Sequence, residues 1–400
     1  MSVGEKTVKS NDLRYIYNRM PYTEMNVYPQ GLNTNTVLQF AETMKDCGYR
    51  YSLRKLKSGH HAIEMLRKNG DRSATLKNPI YPTNSQVGRK IAIDKFKTEK
   101  FLRSAGLGTT KSKLYESHQL DQAKKEAYAE SSEGVVIKPL DMSLGKGVFT
   151  KVAEEDFGYY WEKCTDIIKE TNRKEYRILV QEFMEGYEVR ATVLEGHLIS
   201  IVARVPAFVI GDGNSTIETL IDQKNEQRKN CGYLSKNQIK KSDAVRSFLK
   251  HSGYDFNSIP RDGEYVLLIS VSNTSLGGEV IEITNLVSNE IKELALDALA
   301  ALPGMYCGGI DIMVRDFDDT EPKVIEINPF PVLSLTMFPT YGLPARPTEY
   351  FLNAFYTKDQ ILNEVANPYD IKNSMEYITN YMEFHHRQEK LHLKQRENSI

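Results

Sequence analysis

From residue 110 onward, short apolar runs alternate with amphipathic ones, so strands and helices should follow one another along the chain. Helices are expected over Gln119–Ser131 and Asp156–Thr171. Gly134-Val135-Val136-Ile137-Lys138-Pro139 predicts a short buried strand. A loop over Leu140–Gly147 follows, then strands at Val148–Val152 and Tyr176–Glu182. Tyr187–Leu194 and His197–Val205 predict a hairpin turning at Glu195-Gly196. The stretch 211–255 is polar and helical: residues 211–216 cap a helix from Ile217, and Lys240–His251 is a second. A strand at Val266–Val271 and a helix at Lys292–Ala301 lead into a last hairpin. Its strands, residues 309–315 and 323–328, are rich in Val and Ile and flank the turn cluster Phe317-Asp318-Asp319-Thr320-Glu321-Pro322. Strands and helices mixed with several hairpins predict an α+β fold rather than a doubly wound parallel sheet.

The flanks are patterned differently. Residues 1–30 are polar and Tyr-rich with weak periodicity and predict an irregular arm. Residues 34–47 predict a helix ended by Gly48. Tyr49–Leu56 and His61–Leu66 predict a hairpin around Lys57-Ser58-Gly59-His60. Pro82-Thr83-Asn84-Ser85 is a helix start, and Lys90–Ser104 should be one helix closed by Gly106. From Thr357 the chain is charged and helical. Over residues 373–395 the apolar stripe is Met375, Ile378 and Met382, with Tyr377 and Phe384 projecting away. So narrow a stripe needs a partner, either a second subunit in a homodimer or the N-terminal arm.

Composition narrows the function classes. The 52 basic and 53 acidic side chains leave a net charge of −1, which gives no support for non-specific binding to nucleic acid or membrane. No apolar run approaches the ~20 residues of a membrane span, and the first six residues lack the apolar core of a signal peptide. Cys47, Cys164, Cys231 and Cys307 have no metal-ligand spacing and suit reduced thiols of a cytoplasmic protein.

The candidate chemistry centres on the last hairpin. Asp311 lies eight residues before Asp319 and Ile327 eight after it, so Asp311 sits across from the Glu326–Asn328 end of the second strand. Glu326 and Asn328, two apart, project together. Two carboxylates and an amide oxygen are hard ligands suited to Mg²⁺. Both acids interrupt apolar strands, where an unpaired charge is costly, so something should neutralise them. Lys138 ends a buried strand and must carry its ammonium to a polar partner. After it, Asp141-Met142-Ser143-Leu144-Gly145-Lys146-Gly147 is a small-residue loop able to wrap phosphate oxygens, although it is not a Walker A sequence. At Val180-Gln181-Glu182-Phe183-Met184-Glu185-Gly186-Tyr187-Glu188 a strand runs out among acids. Backbone there could pair with a purine edge, and Glu188 could accept ribose hydroxyls; a plain strand–turn–strand with solvated acids remains the alternative.

Taken in order, Lys95, Lys138 with its glycine loop, Glu182 to Glu188, and Asp311 with Glu326-x-Asn328 resemble the ATP-grasp superfamily over roughly residues 80 to 348. Residues 204–217 and Ser272-Asn273-Thr274-Ser275-Leu276-Gly277-Gly278 look like segments of cyanophycin synthetases and of the ATP-grasp part of bifunctional glutathione synthetases. The resemblance implies two α+β subdomains gripping ATP within residues 89–356, the nucleotide-gripping one at about 110–185. A small N-terminal α/β domain, 1–88, precedes it and a helical tail, 357–400, follows. It implies a ligase joining a small-molecule or peptide carboxylate to an amine through an acyl-phosphate. A kinase or a non-catalytic ATP-binding regulator is the alternative. Lys95 and Lys138 would contact phosphates, and Ser143, Gly145, Lys146 and Gly147 would form a lid. Glu182, with the backbone of Phe183 and Met184, would read adenine, and Glu188 would hold ribose. Asp311, Glu326 and Asn328 would hold two Mg²⁺ ions, for which Mn²⁺ could substitute. Arg204 would stabilise the acyl-phosphate and Arg190 orient it. The chain departs from its relatives at Ile269, where they carry Arg. It departs again at Pro329-Phe330-Pro331-Val332-Leu333-Ser334, where they have Gly soon after the metal Asn. The first 80 residues, 211–260 and Phe330–Tyr341 are the expected specificity elements.

Overall fold

In the computed structural model, residues 8–22, 24–131, 133–140, 147–170, 177–270, 272–363 and 372–398 are described. Their strands sort into four sheets. The first is an antiparallel meander of β1 (Tyr51–Lys55), β2 (His61–Leu66) and β3 (Arg72–Lys77). The helix Thr36–Asp46 covers it, placing Val37, Phe40, Ala41 and Met44 against Ile63, Met65 and Leu76. The Asn35 side chain caps that helix by accepting from the Val37 and Leu38 amides.

The second sheet contains β4 (Ser112–Glu116), β5 (Val135–Pro139), β6 (Phe149–Val152) and β7 (Arg177–Glu182) in the order β4-β7-β5-β6. The helices Leu120–Glu130 and Phe157–Lys169 cover one face through a core that includes Ala123, Ile137, Phe157, Trp161, Ile178 and Val180. The hairpin β8 (Tyr187–Leu194) and β9 (His197–Val205) opens the central part of the chain. A ribbon of β10 (Phe208–Ile210) and β11 (Tyr265–Leu267) then carries the helices Ile217–Lys229 and Asp243–His251. The central sheet is completed by β12 (Glu279–Glu282), β13 (Gly308–Val314) and β14 (Lys323–Asn328), in the order β12-β9-β8-β13-β14.

Alternation along the central strands makes one face apolar. Val189, Ala191 and Val193 of β8, Ile201, Ala203 and Val205 of β9, and Ile310 and Ile312 of β13 share a core with the helix Asn289–Ala300. That helix presents Ile291, Leu294, Ala295, Ala298 and Leu299, the spacing of one helical stripe. The opposite face carries the charged residues. The two large sheets meet at a seam, where the Val324 amide donates to Gly108 O at 3.0 Å.

The α+β reading stands, and beyond the unforeseen strands β10 and β12 the elements differ from expectation in several places. The arm holds the helix Ser10–Arg19, which only two fully buried residues, Leu13 and Ile16, anchor to the central core. Strand β3 was hidden because Leu76 alone in it is fully buried. The single helix expected over Lys90–Ser104 is two, Gln86–Ile93 and Lys95–Ser104. Asp94 is extended and caps the second by accepting from the Lys97 amide at 3.0 Å. The boundary expected at 356/357 falls inside the helix Pro347–Leu362, whose Phe351, Leu352, Phe355 and Tyr356 pack with the first sheet.

The tail helix Met375–Glu397 forms, but on another face than the stripe predicts. Met375 and Met382 are 51% and 57% exposed, whereas Phe384, Gln388, Leu391 and Gln395 are buried. The surface covered is the chain's own, made by the β8–β9 turn and by segments around Phe101 and Ala301–Met305. Phe384 packs on Gly196. Gln388 donates to Met305 O at 2.9 Å, and Gln395 donates to Phe101 O and Ala301 O at 2.9 and 3.1 Å. Buried amides with specific partners carry this face, and a count of apolar residues overlooks them. No helix among the described residues is long and apolar enough to cross a membrane.

Two stability outcomes follow. Phe384→Ala should cost about 3 kcal/mol in urea denaturation, and Met382→Ala less than about 0.5 kcal/mol; equal effects would restore the methionine stripe. Arg67 donates twice to Asp359, both at 2.8 Å, tying the end of β2 to the helix Pro347–Leu362. These hydrogen bonds outweigh burial and hold the Asp359 carboxyl below its usual 3.8. The contribution is therefore complete above that value and is lost as pH falls through the folded value. Asp359→Asn should cost about 1 kcal/mol at pH 7, and the gap to wild type should close as pH falls through the lowered value of the folded carboxyl.

Candidate active site

The polar face of the central sheet is built by register. Across β8 and β13, Asp311 pairs with Arg190 and Met313 with Glu188. Across β13 and β14, Gly309 pairs with Asn328, Asp311 with Glu326 and Met313 with Lys323. A bulge between Asp311 and Ile312 leaves Ile325 without an opposite residue. That extra residue switches the parity of β14. Lys323, Glu326 and Asn328 consequently all lie on the side of Asp311, although an unbroken strand would send Lys323 to the other face. The bulge also moves the partner of Asp311 to Glu326, one residue from the symmetric position.

Charge balance on this face is tight. Asp311 is 2% exposed and accepts from Arg190 twice, through Nε and, at 2.7 Å, through Nη2. Burial alone would lower the Arg190 pKa, but Asp311, its hydrogen bonds and Glu326 outweigh it and the net shift is upward. Gly309 makes room for this side chain: a Cβ there would lie 3.2 Å from Arg190 Cδ. Arg204 on β9 pairs with Glu188 and reaches Asp311 Oδ2 at 3.6 Å. Its Nε is buried with no hydrogen-bond partner among the described residues. Lys95 lies 3.6 Å from Glu326 Oε2. It opens the helix that the break at Asp94 creates. Asn328 Oδ1 accepts from the Phe330 amide at 2.9 Å.

A second group lies on the other large sheet. Lys138, 5% exposed, donates to Gln181 Oε1 from the neighbouring strand. Glu182 pairs with Lys323 at 3.1 Å, a contact across the seam. Phe183 and Met184 are half-buried, and the Lys151 ammonium lies 5.6 Å from the Phe183 ring centre. Gly147 packs against Pro139 at the end of β5. Ser143, Gly145 and Lys146 lie outside the described residues.

Thus Lys95, Glu188, Arg190, Arg204, Asp311, Glu326 and Asn328 gather on the central sheet. Lys138, Glu182, Phe183 and Met184 sit on its neighbour, joined to the first group through Lys323. Sequence reasoning missed Lys323, Gln181 and Gly309, because each acts through a neighbouring strand and no local spacing signals it. Among the described residues no three His, Cys, Asp or Glu side chains converge as a metal set, so an oxygen site here depends on Asn328.

Comparison with known proteins agrees with this architecture. The ATP-grasp domain model matches residues 92–332. The glutathione biosynthesis bifunctional protein GshAB of Clostridium perfringens is 31% identical over 279 residues, covering 68% of this chain and 35% of that protein. Cyanophycin synthetase of Synechocystis sp. is 30% identical over 273 residues, covering 64% of this chain and 29% of that one. The chain thus spans about a third of the length of these curated relatives. The crystal structure of a bifunctional glutathione synthetase from Pasteurella multocida superposes with a TM-score of 0.60 at 24% identity, over 81% of this chain and 45% of that one, a likeness of fold. With the matched segment holding both large sheets and the charged face between β8 and β14, the chain belongs to the ATP-grasp family.

Proposed function

We propose that this chain is an ATP-dependent ligase that activates a carboxylate as an acyl-phosphate and joins it to an amine, releasing ADP and phosphate. The observation that carries this reading is the cross-strand oxygen set Asp311, Glu326 and Asn328 with cations on both sides of it. Relatives named for glutathione biosynthesis and cyanophycin synthesis support it.

The oxygen set fits Mg²⁺. All three donors are hard, and each ionised carboxylate keeps lone pairs beyond those its arginine or lysine engages. Asp311, Glu326 and Asn328 would hold two such ions, and Mn²⁺ could replace them. Bound there, Mg²⁺ would neutralise phosphate oxygens as charge spreads over the transferring phosphoryl group. The chain's own residues do the rest. Arg190 aims Asp311 through its two hydrogen bonds, so it acts as a positioning residue. Arg204 retains a buried N–H donor for an oxygen of the activated acid. Lys95 and Lys138 hold phosphate oxygens, with Gln181 fixing the ammonium of Lys138. Glu182 with the Phe183 and Met184 backbone takes the adenine edge, and Glu188 takes the ribose. The segment Ser143, Gly145, Lys146 and Gly147, of which Gly147 alone is described, is the one we assign to the phosphate oxygens.

Screening carboxylate and amine pairs for ADP release tests the reading. ADP with a need for amine is expected; AMP, or ADP without any acid, would rule it out. In the responsive pair Glu326→Gln should lower turnover on the order of 10²-fold or more. Its stability should stay near wild type, because Glu326 is 32% exposed and held only at 3.6 Å. Asp311→Asn should lose turnover as well, and also about 3 kcal/mol of stability in urea, because the Arg190 charge is then buried alone. Near-normal turnover of Glu326→Gln in Mg²⁺ would remove the metal assignment.

A further inference from the structure

Beside Asn328 lies a cavity of about 390 Å³ that the ligase chemistry above leaves without an occupant. Its walls come from segments far apart in the chain. Asn35 and Asn78 belong to the N-terminal unit, Arg89 and Ile93 to the helix Gln86–Ile93, and Phe330 to the segment that follows β14.

Arg89 decides what this cavity can take. Its Nε is buried with no hydrogen-bond partner among the described residues. A buried donor left without an acceptor is costly, and a guanidinium presents a planar fork that matches a carboxylate. The side chain is also held in place. Ser85 Oγ accepts from the Gly88 amide at 2.9 Å and donates to Pro303 O at 2.6 Å, clamping the start of the helix. Gly88 permits the close approach: a Cβ there would stand 2.4 Å from Pro303 O. Arg89 thus projects from a helix whose start is tied to Pro303 by Ser85 and packed on it at Gly88. Ile93 and Val332, 65% and 50% exposed, also line the cavity and offer apolar surface to an occupant.

The geometry points to this cavity as the site of the acid substrate, with Arg89 holding a second carboxylate of that substrate while the reacting one faces Asn328. The inference rests on the ligase reading and narrows it to acids with two carboxylates, of amino-acid to dipeptide size. A volume of this order lies at the lower end of small-molecule sites. Arg89 would be a specificity-determining residue, distinct from the groups assigned to nucleotide and metal.

Two measurements test it. The first is binding, read as the melting temperature of the full chain with aliphatic diacids, acidic amino acids and acidic dipeptides, each beside its mono-amide, and with inorganic phosphate as a control. At least one diacid should raise the melting temperature while its mono-amide does not. Arg89→Met should abolish the shift, and Arg89→Lys should keep part of it. The second is ADP release from MgATP with that diacid and hydroxylamine, which displaces phosphate from the acyl-phosphate as a hydroxamate. Arg89→Met should raise KM for the diacid about tenfold or more, the worth of a charge-assisted hydrogen bond, with the KM for ATP unchanged. The inference is overturned if no diacid shifts the wild-type protein, if mono-amides shift it equally, or if inorganic phosphate gives the same Arg89-dependent shift. The wild-type comparison of diacid with mono-amide stands even if a variant fails to fold. Arg89-dependent binding without ADP release would reject the ligase reading and keep the site. ADP release with a KM indifferent to Arg89 would do the reverse.

Discussion

A carboxylate buried in the middle of the central sheet sets the terms for everything around it. Asp311 is taken almost wholly out of water, and the structure answers with two guanidiniums, Arg190 bonded twice and Arg204 within 3.6 Å. Such a pair gives little net stability over apolar residues of the same shape, yet leaving one member alone is strongly destabilising. It therefore acts on register. A slip of β13 by one residue would send Asp311 into the layer packed on the helix Asn289–Ala300 and expose Ile310 or Ile312. With β13 pinned against β8, the positions of Glu326 and Asn328 follow from the β13–β14 pairing. Because an apolar replacement would serve folding as well, the persistence of this charge in the core is an argument that the site uses it.

The same constraint explains why breaks in regular structure matter more here than the regular elements. The helix interruption at Asp94 lets Lys95 open a new helix beside Glu326. The bulge at Ile325 lets Lys323 share a face with Glu326 and Asn328 while still reaching Glu182. Either irregularity removed would leave the fold drawn in outline but separate the charges that it collects. Local departures from ideal geometry are also the features that hydrophobic periodicity does not report.

Much of the architecture was legible in the chain. The hairpin β8–β9, the buried strand β5 and the hairpin β13–β14 have the strong alternation or Val/Ile content that two-sided burial demands. The helix Ser10–Arg19 was not, since two buried residues cannot make a periodic signal. The tail was legible as a helix and misjudged in its face, because Gln388 and Gln395 are buried by hydrogen bonding to carbonyls that lie 83 residues or more away. Among site residues, Asp311, Glu326 and Asn328 stood out because charge interrupts apolar strands. Lys323, Gln181 and Arg89 did not, because their relevance lies in what another strand or segment brings beside them.

Strand β14 ties these parts into one order. Its six residues extend roughly 17 Å at about 3.3 Å per step. Lys323 at one end meets Glu182 of the sheet that carries Lys138. Glu326 lies between, opposite Asp311. Asn328 at the other end borders the Arg89 cavity. The Lys323–Glu182 contact, the Asp311–Glu326 pair and the Arg89 cavity are thus laid out along a single polar face, the order that the proposed phosphoryl transfer to a carboxylate would require. The bulge is what makes one strand sufficient, because without it Lys323 would point into the core and the sheet that carries Lys138 would need another tether. A rigid strand positions reacting groups better than loops do, since its spacing is set by the backbone ladder and cannot drift with the side chains it carries.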